Sequence, residues 1–424
     1  MKNHIQNFTK NIGARETKTI YYLILFLSSF ATSTISATYV LFLLNQGLDL
    51  LQVNLVNVAF MAGIFIFEIP TGAYADNFGR RKSVIISTAL VTLAFTTYFL
   101  SSSLWMFILA ETIGAIAWTF RSGALDAWLV DSLKENNFQG EVDKIFSHAA
   151  IIGQAASLLG GLIGAYIGVV SLRLPLGFAA VISLLTLAVV YFFMREGKVL
   201  KVPINFIAGL NQMKKMSKEG IIYGVKHKVI LWLIFANVLA LFAFQPLNMY
   251  WSPRLNVLAG DQIWIMGWVW VGISLAMMGG AFVVRHLFNK AVSYASSLVI
   301  MSLVLSVPIF FGATSEIFAV VLSSFLIYEV GRGMMGPIQS SYLNKHIESS
   351  YRATVLSFHS MVGRIGAIGG LIILGWVGKN HSIQFSWAIA GILLLLLVPI
   401  FLRVAYHEKK LVETSSKDPE LILR

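Results

Sequence analysis

The chain has 424 residues, 57% of them hydrophobic and only 12% charged, roughly half the charge of an ordinary soluble domain, which excludes a water-soluble globular fold. No cysteine is present, so a disulfide framework and a thiolate metal site are excluded too. The net charge of +12 invites a nucleic-acid reading, but nearly all the cations lie outside the long apolar stretches and mostly on one set of connections, and that distribution rules it out.

Stretches of roughly 20 apolar residues are long enough to cross a bilayer. They recur near 19–44, 50–74, 83–100, 104–131, 145–168, 172–194, 229–251, 262–284, 291–312, 316–342, 353–377 and 383–404. The pattern predicts an all-α membrane protein of 12 transmembrane helices. The basic residues before Thr19 lead into a stretch too long for a signal-peptide core, so it is expected to remain as span 1. Among the Lys and Arg residues, Arg173, Arg254 and Lys379 fall on one set of connections and Arg121, Arg332 and Arg364 within spans. All others fall on the opposite set. This positive-inside asymmetry predicts a multi-pass protein of the cytoplasmic (inner) membrane with both termini cytoplasmic.

Between spans 2 and 3 stands GAYADNFGRRK, residues 72–82. Gly72 and Gly79 permit tight turns and close helix approach, and Asp76 can sit against amides at a helix N-terminus. Arg80 or Arg81 can pair with an acid, for which Asp131, at the inner end of span 4, is the expected partner. Lys82 reads as a topology-setting cation.

A charge near the bilayer centre costs about 2.5–3.5 kcal/mol and calls for a partner or an aqueous cavity. Span 2 carries Glu68; span 4 carries Glu111, Arg121 and Asp126. Five residues along one helix turn roughly 140°, so Asp126 is expected to face another helix or a cavity while Arg121 looks toward Glu68. Span 5 reads GQAASLLGGLIGAYIG over 153–168, with small residues suited to close helix packing.

Cations cluster between Arg195 and Lys228. Within this linker, 196–228, the apolar residues Ile204, Phe206, Ile207, Leu210 and Met213 recur at helical spacing, as an amphipathic helix on the membrane surface would require; a solvated tether is the alternative. The linker separates residues 1–195 from 229–404, and a tail follows over 405–424. After span 8 the run GAFVVRHLFNK echoes the loop after span 2. Arg332 echoes Arg121, and Ser357, Gly363 and Arg364 echo Ser147, Gly153 and Gln154. Together they predict two pseudo-symmetric six-helix bundles.

In span 10, Glu329 and Arg332 share a depth with Arg364 of span 11. Either Glu329 releases an arginine on taking a proton, or the cluster only holds the two helices together. Asp126 and Glu329 rank first as proton-carrying groups, then Glu111 and Glu68, the last with an equally good structural role. No GxxxxGK[ST] phosphate loop occurs, and His148 and His359 lack a second ligand at metal spacing. The chain is therefore expected to be no enzyme and to need neither cofactor nor metal.

The loop resembles that of the major facilitator superfamily, whose pattern is G-x-L-A-D-R-x-G-R-K-x-x-L. Gly72, Ala75, Asp76, Gly79, Arg80 and Arg81 match it, while Tyr74, Asn77 and Val84 depart. The resemblance implies that family's fold, with a central cavity lined by spans 1, 4, 7 and 10; the candidate lining residues are Thr34, Tyr39, Trp118, Asn237, Gln245 and Tyr328. It also implies a conformational latch built on Gly72, Asp76, Gly79, Arg80, Arg81 and Asp131. The antiporter signature of span 5 is partly present, its proline missing. The implied activity is proton-coupled efflux of a small amphipathic organic compound by alternating access, carried out by a monomer in the lipid bilayer. Uptake by symport, lipid flipping and a transport-inactive receptor are the alternatives.

Overall fold

The computed structural model describes residues 13–196, 222, 227–288, 294–347 and 351–417. Among them the structure is helical, without strands. The linker helix expected over 204–213 lies outside the described residues. The first eight helices are α1 (Ala14–Thr34), α2 (Tyr39–Asn45), α3 (Leu50–Phe78), α4 (Arg80–Leu100), α5 (Leu104–Arg121), α6 (Ala124–Glu135), α7 (Val142–Val170) and α8 (Leu174–Phe193). They are followed by α9 (Lys228–Leu258), α10 (Ile263–Val283), α11 (Tyr294–Thr314), α12 (Phe318–His346), α13 (Arg352–Asn380), α14 (Ile383–Leu395) and α15 (Leu397–Lys417). They supply 12 segments long and apolar enough to cross a membrane, with α1–α2, α5–α6 and α14–α15 each acting as one broken span. Helices suit this task because each satisfies its backbone polar groups internally.

Each break has a local cause. In the first span, Thr32 and Thr34 donate their hydroxyls to the carbonyls of Ser28 and Phe30. Such back-bonding bends a helix, and the turn over 35–38 precedes a restart at Tyr39. In the fourth, Gly123 takes φ +74°, a left-handed conformation that glycine adopts without a side-chain penalty. Arg121 and Asp126 consequently lie on separate helices, and the 140° relation expected for one continuous helix does not hold. In the twelfth, Pro399 lacks the N–H that would bond to the Leu395 carbonyl.

The 72–82 segment is a loop in one residue only. α3 continues to Phe78 and α4 begins at Arg80, so Gly79, with φ +105°, makes the turn alone. At the other end of the chain α15 runs on to Lys417, beyond the expected end of span 12 at 404.

The chain divides into two compact units, one of Met1–Phe42 and Ala62–Phe206, the other of Leu43–Met61 and Ile207–Arg424. Within the first, α1 packs on α7 and α8, and α4 on α5 and α8. Within the second, α9 packs on α13 and α14, and α11 on α12 and α14. One pairing scheme thus occurs twice, and glycines make the tightest contacts in both. Gly160 and Gly164 of α7 press against the carbonyls of Phe30 and Thr34 on α1, while Gly366 and Gly370 of α13 press against those of Val238 and Phe242 on α9. Further along the same faces, Gly153 meets Leu25 and Ser29, and Gly363 meets Asn237 and Leu241. Without a hydrophobic force between helices in lipid, such close approach supplies the packing energy.

Candidate functional site

In the first unit the bend at 35–38 carries Tyr39 to the start of α2, beside α4 and α5. Its hydroxyl donates to Glu111 Oε1 at 2.7 Å and lies 3.0 Å from the hydroxyl of Tyr98. The two rings meet edge to face with centroids 5.9 Å apart. Tyr98 is buried. Glu111 is thus held by a phenol from the broken span, with a second phenol behind it.

In the second unit Glu329 and Arg332 are three residues apart on α12, which places them on one face. Arg332 Nη1 donates to Glu329 Oε1 at 2.9 Å and to Asn248 Oδ1 of α9 at 2.7 Å. The guanidinium also lies 5.8 Å from the Phe244 ring and 5.9 Å from that of Tyr328. Glu329 is 1% exposed and Arg332 25%. Among the described residues the buried Glu329 Oε2 has no hydrogen-bond partner. Buried polar atoms are ordinarily satisfied, and Oε2 is an exception. Asn248 thus joins the pair from α9.

Asp126 is exposed and accepts a hydrogen bond from the Tyr21 hydroxyl at 2.7 Å, a contact made possible by the separate direction of α6. Arg121 lies 5.1 Å from the ring of Trp118, itself 47% exposed. Glu68 is exposed on α3, and Arg364 stands half-buried on α13. Three expected cavity residues use their polar atoms on helix backbone: Thr34 on Phe30, Asn237 on His359 and Gln245 on Leu241.

Around the Gly79 turn, Asp76 pairs with Arg80 on an exposed surface, an arrangement worth little. Arg81 does more. Its backbone N–H donates to Glu196 Oε2 at 3.0 Å, its Nε to the Met194 carbonyl, and its Nη2 to the Tyr191 carbonyl at 2.7 Å. The guanidinium caps the C-terminal end of α8, where a cation is favoured. From α6, Trp128 Nε1 adds a bond to the Arg195 carbonyl at 2.6 Å. The carboxylate beside the turn is therefore Glu196. Asp131, the expected acid, is exposed on α6. Gly72 lies within α3 with nothing within 4 Å of where a Cβ would stand, so neither a turn nor close approach accounts for it.

In the second unit, Asn54 of α3 is buried and donates from Nδ2 to the Tyr250 hydroxyl at 3.0 Å and to the Leu371 carbonyl at 2.8 Å. Nearby, Lys379 Nζ lies 2.9 Å from Asp49 Oδ2. Burial alone would raise the Asp49 carboxyl, but the Gln52 N–H and Lys379 outweigh it and hold it below the usual carboxylate range. Arg254, expected on a loop, lies within α9, where it is buried and bonds Glu316 at 2.9 Å.

Residues 21–371 match the family model described as Major Facilitator Superfamily. A Bacillus subtilis (strain 168) relative, the "Uncharacterized MFS-type transporter YxaM", is 26% identical over 394 residues, covering 90% of this chain and 94% of its own. The class H tetracycline resistance protein of Pasteurella multocida is 21% identical over 364 residues, covering 81% and 84% respectively. Among solved structures, the nucleoside transporter NupG superposes with a TM-score of 0.74 at 14% identity, covering 92% of this chain and 98% of its own. The D-xylose-proton symporter gives 0.68 at 16%, covering 91% and 96%.

Proposed function

Because the chain belongs to the Major Facilitator Superfamily, and so is a multi-pass membrane transporter of small molecules rather than an enzyme, we propose that it couples protons to the efflux of a small amphipathic organic compound. The observation that carries this reading is the Glu329–Arg332 pair. One carboxylate oxygen is held by a guanidinium, and the other is buried with no hydrogen-bond partner among the described residues. A proton arriving on Oε2 weakens the grip on Arg332 and frees the guanidinium to change partners. Glu111, held by Tyr39, is the corresponding acid of the first unit. Asp126 and Glu68, both exposed, rank below them.

The cargo site takes in Arg332, Asn248, Phe244 and Tyr328, a mixed aromatic and polar lining suited to amphipathic solutes. Residues 1–195 and 229–404 act as the two six-helix bundles, in a monomer of the cytoplasmic membrane with both termini inside. The latch is carried by Arg81 and Glu196 around Gly79, with Asp76 and Arg80 beside it. The resistance protein among the relatives supports efflux, and the symporter among the structural neighbours supports uptake as the second reading. Tetracycline, taken from the relative's name, is the first probe. Everted vesicles holding the protein and acidified inside should accumulate it above vesicles without the protein. Accumulation in right-side-out vesicles alone would assign uptake instead.

A further inference from the structure

A concavity lies within the first unit, and Glu111 is not among the residues that line it. Its volume is about 570 Å³, within the range of small-ligand sites. It opens where α1 and α7 begin, just after α6 ends, and so sits at the ends of spanning helices, the level of lipid headgroups. Arg15 and Lys18 of α1 and Lys144 and His148 of α7 line it, with the rings of Tyr22 and Phe138 as its apolar walls. The acid in the lining, Glu141, is paired with Lys144 at 2.9 Å. Among the described residues Arg15 and Lys18 have no ion-pair partner, so the concavity carries an uncompensated positive charge.

The wall is built by the connection that follows α6. Asn137 takes a left-handed φ of 50°, and the Phe138 N–H donates to the Leu133 carbonyl at 3.0 Å. The ring folds back until Lys18 Nζ lies 5.1 Å from its centroid. A side chain on Gly140 would strike that ring, so glycine there keeps the aromatic wall in place. Arg15 and Lys18 occupy the first two turns of α1, where the helix dipole disfavours cations; an anion between them and Lys144 would offset that repulsion. Lysine and arginine together with aromatic walls match a charged head attached to an organic body, and phosphate oxygens accept from both cation types.

We propose that this concavity binds a net-anionic phosphate ester, the chemistry shared by an acidic phospholipid headgroup and a free phosphorylated solute. The test is thermal unfolding of the purified full-length protein in detergent at constant ionic strength. One arm adds short-chain phosphatidylglycerol against the zwitterionic phosphatidylcholine; the other adds inorganic phosphate against chloride. A phosphate arm should raise Tm by about 3 °C in the wild type, and the gain should vanish in R15Q/K18Q/K144Q but persist in R285Q. A shift with the glycerol lipid alone assigns the lipid as source, and a shift with inorganic phosphate assigns the free solute. Lys18→Gln alone should raise the half-effective concentration about tenfold, which keeps the test open if the triple variant does not fold. No shift in either arm, or an unchanged response in these variants, overturns the proposal.

Discussion

Asn54 shows how much one buried side chain can hold. It is an amide on α3 with no exposure, donating to the Tyr250 hydroxyl and the Leu371 carbonyl and abutting Gly375. Removing a buried donor from such partners costs about 1–3 kcal/mol, so Asn54→Ala should lower Tm in detergent, whereas a change at exposed Lys82, Lys82→Gln, should not. An unchanged Tm for Asn54→Ala would show these bonds to be energetically idle. Contacts of this kind were not legible in the sequence, because Asn54 and Leu371 meet only through the fold. The acid beside Gly79 escaped for the same reason: Asp131 was chosen by its place at a span end, while Glu196 reaches Arg81 from the end of α8. The Glu329–Arg332 contact was legible, since their spacing of three on a helix puts them on one face.

At the level of helices, glycine separates into two kinds that sequence alone does not distinguish. Gly164 lies against the Thr34 carbonyl, and a Cβ there would overlap it; Gly72, part of the loop motif, has open space. Gly164→Ala should therefore destabilise by about 1–3 kcal/mol through overpacking. Gly72→Ala should be neutral or stabilise by about 0.5–1 kcal/mol, because alanine is the better helix residue. Paired thermal melts decide it, and a larger loss for Gly72→Ala than for Gly164→Ala would overturn this reading of the contacts. Span existence was legible because 20 apolar residues in a row have few other uses. Span continuity was not: Gly123 and Pro399 mark the breaks in the fourth and twelfth spans, but either residue can also sit inside an unbroken helix, as Pro70 does in α3.

Taken whole, the molecule is built twice from one plan, each unit pressing paired glycines of α7 or α13 against carbonyls of α1 or α9. The weak internal echoes of the sequence, Gly153 with Gly363 among them, are the visible trace of that packing. Each unit also holds one carboxylate in a polar cluster, Glu111 beside tyrosines and Glu329 beside an arginine. In the proposed mechanism these are the groups where a proton is exchanged for a change of side-chain partner. The most direct measurement is solute movement in proteoliposomes carrying wild type, Glu111→Gln or Glu329→Gln, with and without an imposed pH gradient. The account predicts that at least one variant keeps solute exchange at equal pH but loses accumulation driven by the gradient. Wild-type accumulation in both variants would contradict it.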